Sequence, residues 1–120
     1  MKKENTIRDM TFDFSLKIIS LYKILIENKE YVLSKQLLRS ATSIGANVEE
    51  ANAGQSKRDF IAKMSIASKE ARETKYWLRL LDKSQVVAHD FTRYLTAIEH
   101  IINIITKIVK TSQEANSSHA

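Results

Sequence analysis

Apolar residues recur at alternating steps of three and four in four separate stretches of this 120-residue chain. These residues are Phe14, Ile18, Leu21 and Leu25; Leu37, Ala41, Ile44, Val48 and Ala51; Phe60, Met64, Ala67, Ala71, Thr74, Leu78 and Leu81; and Phe91, Leu95, Ile98, Ile102, Ile105 and Val109. Because an α-helix turns once in about 3.6 residues, each set forms a stripe along one side of a helix. We therefore predict four helices, near residues 10–29, 34–53, 57–82 and 90–111, packed as an all-α, antiparallel up-down-up-down four-helix bundle.

Turn-forming residues are scarce, since the chain has no proline and two glycines. A β-rich fold needs more of them, so the composition favours helices joined by short loops. We predict a single domain over residues 1–112 and a disordered C-terminal tail over residues 113–120, where the apolar pattern stops. The chain also lacks cysteine, which excludes disulfides, thiolate metal sites and cysteine nucleophiles.

Polar residues between the four stripes have the spacing of helix caps. Ser34 is predicted to cap the start of the second helix, and Gly54 follows its end, where glycine commonly terminates a helix. Ser56 and Asp59 are spaced as a capping box for the third helix, and Asp90 precedes the fourth. These signals agree with the boundaries that the apolar stripes predict.

Neither a membrane segment nor a secretory signal is visible in the sequence. No apolar run reaches the length of about 18 residues that a membrane-spanning helix requires, and no apolar segment follows the lysines at the start. We therefore expect a cytoplasmic protein. Its net charge of +5 is compatible with an acidic partner but does not require one.

The first and fourth helices carry more apolar residues than one core stripe needs. The additional residues are Phe12, Leu16, Ile19, Ile26, Tyr94, Ile101 and Ile108. They either widen the band that faces the core or form the contact surface of a homo-oligomer, since soluble monomers rarely expose large apolar patches. We favour the homo-oligomer.

Side chains with catalytic or metal-binding chemistry form no recognisable motif. None of the histidines, His89, His100 and His119, belongs to the Glu-x-x-His pair of di-iron bundles, and two glycines are too few for a phosphate loop. Glutamates of the second and third helices can cluster, but without histidines they are a weak metal signal. We predict a protein that is not an enzyme, with no catalytic residue, metal or cofactor.

Small and polar residues dominate the stretch RSATSIGANVEEANAG, residues 39–54. Small side chains allow helix backbones to approach closely, and Asn47 lies near enough to the core stripe to need a hydrogen-bond partner. A glutamate of the third helix, Glu70 or Glu73, is the predicted partner. We interpret the stretch as close packing with a buried polar network, with a ligand site as the alternative.

The third helix offers the strongest candidate for a binding surface, because its outward side carries cations at steps of three and four, interrupted by one tyrosine. The basic stripe consists of Lys69, Arg72, Tyr76, Arg79 and Lys83, supported near the helix start by Lys57, Arg58 and Lys63. Residues 57–83 contain eight lysines and arginines against four acidic residues, a difference of +4 out of the net +5. Such a stripe is typical of phosphate-backbone binding, although a charged helix face is often merely solvated.

Two segments resemble a known family. QLLRSATSIGANVEEA and FIAKMSIASKEARETKYWLRLL are similar to the bacterial four-helix-bundle family found in open reading frames within 23S ribosomal RNA intervening sequences, over residues 10–110. The most specific positions are Arg39, Ser43, Ile44, Asn47, Glu50, Glu70, Glu73, Tyr76, Trp77 and Leu78. Ala51 departs from the pattern, since many members have glycine there.

The resemblance implies an up-down four-helix bundle that assembles into a homopentamer and has no known catalytic activity. A relative of similar fold, the accessory variability protein of diversity-generating retroelements, works with a reverse transcriptase and nucleic acid. We accordingly predict a non-enzymatic oligomer that binds RNA or DNA through the third helix, or alternatively a homo-oligomeric scaffold that docks a partner protein such as a reverse transcriptase. Arg39, Asn47, Glu50, Glu70 and Glu73 are expected to form an internal polar network.

Overall fold

Four α-helices make up the part of the chain that the computed structural model describes, residues 6–117. They are α1 (Ile7–Glu27), α2 (Leu33–Asn52), α3 (Lys57–Ser84) and α4 (Thr92–Ser117). Each helix packs against the next in chain order, and α4 also contacts α1, which closes the bundle. Because the connections are short, successive helices run antiparallel. The predicted four-helix bundle is confirmed.

The core of the bundle is built from the predicted apolar stripes. Every stripe residue is buried except Phe60, Leu95 and Val109, which are half-buried and pack against the core. Thr74 is the polar member of the α3 stripe and is completely buried, so its hydroxyl needs a partner inside the protein. The spacing of apolar residues therefore identified the core faces of all four helices.

Two residues that we assigned to an oligomer contact belong instead to the core. Tyr94 is 7% exposed and Ile101 is 2% exposed, so the prediction is wrong for both. The physical reason is that the core band of α4 extends around the helix towards α1, where Ile101 lines a groove together with Met10 and Phe14. Ile26 and Ile108 are half-buried, and Ile108 packs against the core.

On α1, three of the four additional apolar residues do face solvent. Phe12 is 63% exposed, Leu16 50% and Ile19 38%. We call these three residues the α1 apolar face. Exposure of three large apolar side chains on one helix is unusual for a surface that contacts only water.

Two of the predicted helix caps are present. Ser56 Oγ accepts a hydrogen bond from the Asp59 N–H at the start of α3, with 3.1 Å between the two heavy atoms. Asp90 Oδ1 accepts from the Thr92 N–H over 2.9 Å. Hydrogen bonds from the hydroxyl and the backbone N–H of Thr92 lower the pKa of Asp90.

The prediction that Ser34 caps α2 is wrong. The helix begins at Leu33, one residue earlier, and its first N–H groups are satisfied by the carboxylate of Glu30. That carboxylate accepts from the N–H groups of Val32, Leu33 and Ser34 over 3.2, 3.1 and 2.6 Å. The Ser34 hydroxyl donates to the Glu30 carbonyl over 2.7 Å instead of capping.

Helix α4 is longer than the apolar pattern indicates. It continues to Ser117, so the prediction of a disordered tail is wrong for residues 113–117, and residues 118–120 lie outside the described residues. Gln113, Glu114 and Ala115 are good helix formers, which favours extending the helix without an apolar stripe. Within residues 6–117 no helix has the length and apolar character needed to cross a membrane.

Candidate nucleic-acid interface

The basic stripe runs along the side of α3 that faces away from the core. Its members are all exposed: Lys69, Arg72, Tyr76, Arg79 and Lys83. The buried residues of α3 lie on the opposite side of the helix. At about 1.5 Å of rise per residue, the stripe is roughly 21 Å long.

The three supporting cations do not share one direction. At about 100° of rotation per residue, Arg58 points the same way as Tyr76, whereas Lys57 and Lys63 are turned from it by roughly 100° and 140°. Lys63 is also half-buried. We therefore define the α3 basic face as Arg58 together with the basic stripe, and Lys57 and Lys63 lie to its sides.

The cations of the α3 basic face are not neutralised within the bundle. The ion pairs of the described residues are Arg8–Glu49, Arg39–Glu70, Arg39–Glu73 and Lys75–Glu99. None of these involves a cation of the α3 basic face. Arg72 Nη2 donates one hydrogen bond to the uncharged Thr106 Oγ1 of α4, over 3.3 Å. The charges of this face are thus available to an anionic partner.

Tyr76, in the middle of the stripe, is held by its neighbours. It is 52% exposed, and its ring meets the Trp77 ring edge-on, with 5.2 Å between centroids and 67° between planes. The Trp77 Nε1–H donates to Glu73 Oε2 over 3.1 Å, and Glu73 is paired with Arg39 of α2. Contacts that run from Arg39 of α2 through Glu73 therefore hold the Trp77 indole, against which the Tyr76 ring packs.

Part of the predicted polar network is present, but it is not buried as predicted, since the Arg39 side chain is 49% exposed. Arg39 of α2 pairs with Glu73 and, over 3.5 Å, with Glu70 of α3. We predicted a glutamate partner for Asn47. The Asn47 amide instead donates to the carbonyl and hydroxyl oxygens of Ser43, one turn back, over 2.9 and 3.1 Å. Glu50 is exposed and has no ion pair within the described residues. The prediction is thus wrong for Asn47 and Glu50.

Two polar contacts between helices were not predicted. Thr74 of α3 bonds Ser40 of α2 inside the core over 2.9 Å. On the surface, Arg8 of α1 donates from Nε and Nη2 to both carboxylate oxygens of Glu49, each over 3.0 Å. This hydrogen-bonded pair raises the pKa of Arg8 and lowers the pKa of Glu49. Ser40 and Thr74 were visible in the sequence as polar residues on or beside the stripes, whereas no pattern indicates a pair 41 residues apart.

The small residues of α2 line a groove against α1. It has a volume of about 290 Å³ and is lined by Arg8, Phe12, Ser15, Thr42, Gly45, Ala46 and Glu49. A Cβ atom on Gly45 would lie 3.5 Å from the Thr11 carbonyl oxygen, an ordinary contact distance. Residues 6–117 contain no group of three His, Asp or Glu side chains placed to hold a metal ion.

A model of the family described as 23S rRNA-intervening sequence protein matches residues 3–107, almost the entire bundle. The chain belongs to the 23S rRNA-intervening sequence protein family. This confirms the family resemblance of the two segments on α2 and α3.

A solved structure agrees with this family membership. It is the crystal structure, at 1.70 Å resolution, of a protein of unknown function from the S23 ribosomal protein family of Bacteroides thetaiotaomicron. That protein is 43% identical in sequence to this 23S rRNA-intervening sequence family member. The match covers 88% of this chain and 99% of that chain, with a TM-score of 0.83. No curated protein matches the chain. Neither description names an enzymatic activity.

Proposed function

We propose that this member of the 23S rRNA-intervening sequence protein family is a non-enzymatic protein that binds RNA through the α3 basic face. One observation carries the proposal: the exposed cations of this face form no ion pair within residues 6–117. Lysine and arginine side chains that neutralise phosphates release counterions, and this release drives binding to nucleic acid.

The arrangement of charge supports a backbone-reading surface. Two acidic residues of α3 close to the stripe, Glu70 and Glu73, are paired with Arg39 of α2. A line of cations roughly 21 Å long is left along one helix. The descriptions of the family and of its solved relative, which refer to 23S rRNA and to a ribosomal protein family, make RNA the first candidate.

The test is binding of a fluorescent structured RNA across a salt series. We expect the logarithm of the association constant to fall linearly with the logarithm of salt concentration, with a slope set by the number of phosphates contacted. Reversing the charges of Arg72 and Arg79 to Glu should weaken binding at least tenfold and reduce that slope by about 2, since each cation contributes about 1.

A matched control reverses two charges away from α3. Lys17 on α1 and Lys29 in the α1–α2 connection are exposed, and α1 has no packing contact with α3 in the described part of the chain. Lys17→Glu with Lys29→Glu changes the net charge by the same amount as the α3 variant but leaves the α3 basic face intact. Equal weakening by both variants, or no binding by the unaltered protein at low salt, would contradict the proposal.

We further propose that the protein assembles with itself through the α1 apolar face. Exposure of Phe12, Leu16 and Ile19 beside the α1–α2 groove supports this contact. The family resemblance sets the expected assembly as a pentamer. In sedimentation, Phe12→Lys with Leu16→Lys should give monomers, whereas Val86→Lys, at an exposed apolar residue of the α3–α4 connection, should not. An unaltered protein that sediments as a monomer would remove this second proposal and leave the first.

A further inference from the structure

We propose that Tyr76 is a stacking platform for an unpaired base, so that the α3 basic face selects single-stranded over fully paired RNA. This inference rests on the proposed RNA binding and specifies which kind of RNA the same face takes. Aromatic rings among cations bind single strands because each base presents a flat face to stack on.

The position of Tyr76 places its ring between two cations. Arg72 precedes it by four residues and Arg79 follows it by three, so the two lie about 6 Å and 4.5 Å from Tyr76 along the helix axis. All three side chains are exposed on the same side of α3. A strand whose phosphates contact both arginines therefore passes directly over the phenol ring.

The ring has an open surface for a base. It is 52% exposed, and its contact with Trp77 is edge-on, at 67° between planes, so the two rings do not stack. The contact with Trp77 therefore covers at most one face of the phenol ring. The tyrosine thus has an accessible π surface, which a stacking platform requires.

The ring is also positioned before any ligand arrives. Trp77, against which Tyr76 packs, is anchored by its Nε1–H to Glu73, over 3.1 Å, and Glu73 is anchored to Arg39. A side chain held in one place loses less conformational entropy on binding than a free one. A binding role explains why an aromatic residue lies among the cations. A face that contacts only water could carry another polar side chain at this position.

A fully paired RNA cannot use this ring. In an A-form duplex the bases are stacked on one another, and a protein contacts mainly phosphates and 2′-hydroxyls. A ring on the surface of a straight helix cannot reach the flat face of a stacked base. Tyr76 therefore contributes to binding when bases are unstacked, and the arginines contribute to both forms.

The test compares a fluorescein-labelled oligouridylate with an RNA duplex of equal length, using the full chain. We expect Tyr76→Ala to weaken oligouridylate binding roughly 5- to 150-fold, which corresponds to about 1–3 kcal/mol per stacked base. Binding of the duplex should change less than twofold. The slope against salt should be unchanged for both, because no charge is removed.

Matched variants separate stacking from packing. Tyr76→Phe keeps the π surface and should bind oligouridylate like the unaltered protein, whereas Tyr76→Leu keeps apolar cover over Trp77 and should bind like Tyr76→Ala. Tyr31→Ala removes a tyrosine that is 60% exposed in the α1–α2 connection and should have no effect.

The failure of this inference is distinguishable from failure of the proposed function. If Tyr76→Ala or Tyr76→Leu weakens oligouridylate and duplex equally, or leaves both unchanged, the stacking role is overturned while RNA binding through the cations stands. If Tyr76→Phe binds as weakly as Tyr76→Ala, a contact of the hydroxyl replaces the stacking role. If the unaltered protein binds neither RNA at low salt, both proposals fall together.

Discussion

The hydroxyl oxygen of Thr74 on α3 lies 2.9 Å from that of Ser40 on α2, and both side chains are completely buried. The Thr74 hydroxyl has a second acceptor, the carbonyl of Glu70 over 2.8 Å, and the Ser40 hydroxyl reaches the carbonyl of Leu37 over 3.3 Å. The two hydroxyls are thus satisfied locally and also join the helices. Burial of a polar pair between two helices specifies how those helices align.

A double-mutant cycle tests this pair. Thr74→Val and Ser40→Ala should each lower the free energy of unfolding by about 1 kcal/mol, because each removes the buried interhelical hydrogen bond while the remaining hydroxyl keeps an acceptor in its own helix. The double variant should cost less than the sum, since the hydrogen bond that the two hydroxyls share can be lost only once. Urea denaturation measures all four free energies. Strict additivity would mean that the two hydroxyls act independently.

Replacing Glu30 should destabilise the start of α2. Its carboxylate accepts from three N–H groups there, and Val32 at the N-cap offers no side-chain acceptor. We expect Glu30→Ala to lower the free energy of unfolding by about 1 kcal/mol, the usual cost of losing a cap. Glu27, an exposed glutamate in the last turn of α1, provides the control, and Glu27→Ala should be nearly neutral. Chemical denaturation that ranks the two variants equally would contradict the capping role.

Replacing Gly45 with alanine should stabilise the bundle. Gly45 lies inside α2 without a positive φ, and an added Cβ would meet its nearest atom, the Thr11 carbonyl oxygen, at 3.5 Å. The entropy saved by removing a helix glycine is worth about 0.5–1 kcal/mol. Gly54→Ala should give no such gain, because its Cβ would lie 3.1 Å from the Ala51 carbonyl oxygen. Thermal unfolding distinguishes the two, and a destabilised Gly45→Ala protein would show that α1 and α2 cannot accommodate the methyl group.

The acidity of Glu49 should depend on Arg8. The hydrogen bonds and charge of Arg8 lower the pKa of the Glu49 carboxyl in the folded protein. A lowered pKa contributes stability above the unfolded glutamate value of about 4.3, and that contribution is lost as the pH falls through the folded value. Titration of the side-chain carboxyl by NMR should find Glu49 below its usual range, and Arg8→Ala should return it. An unchanged titration in Arg8→Ala would show that the pair does not persist in solution.

Periodicity predicted the core well because burial follows helix geometry directly. Residues such as Ile18, Ile44 and Leu78 were placed correctly by spacing alone, and all three are completely buried. Spacing could not give the width of each core band, since this depends on how far the neighbouring helices reach around each helix. Tyr94 and Ile101 of α4 were therefore assigned to the surface although they are buried between helices.

Polar partners were harder to predict, because a flexible side chain can choose between local and distant acceptors. Asn47 bonds Ser43 within its own helix rather than a glutamate of α3. Glu30 caps α2 from outside the helix, at a position that no common capping pattern indicates. Along one helix, by contrast, the outward direction of Arg72 and Tyr76 followed from their sequence spacing alone. The composition of the α3 basic face was thus largely predictable, and its support by Trp77 and Glu73 was not.

Trp77 is the chain's one tryptophan, and it touches Tyr76 on one side and Glu73 on another. The emission of an indole responds to the polarity around its ring and to the hydrogen bond at its Nε1. A molecule bound to Tyr76 would alter both the wavelength and the intensity of that emission. A molecule bound against Phe12 on α1 would leave both unchanged. The unlabelled protein therefore carries an optical reporter that can tell its two exposed surfaces apart.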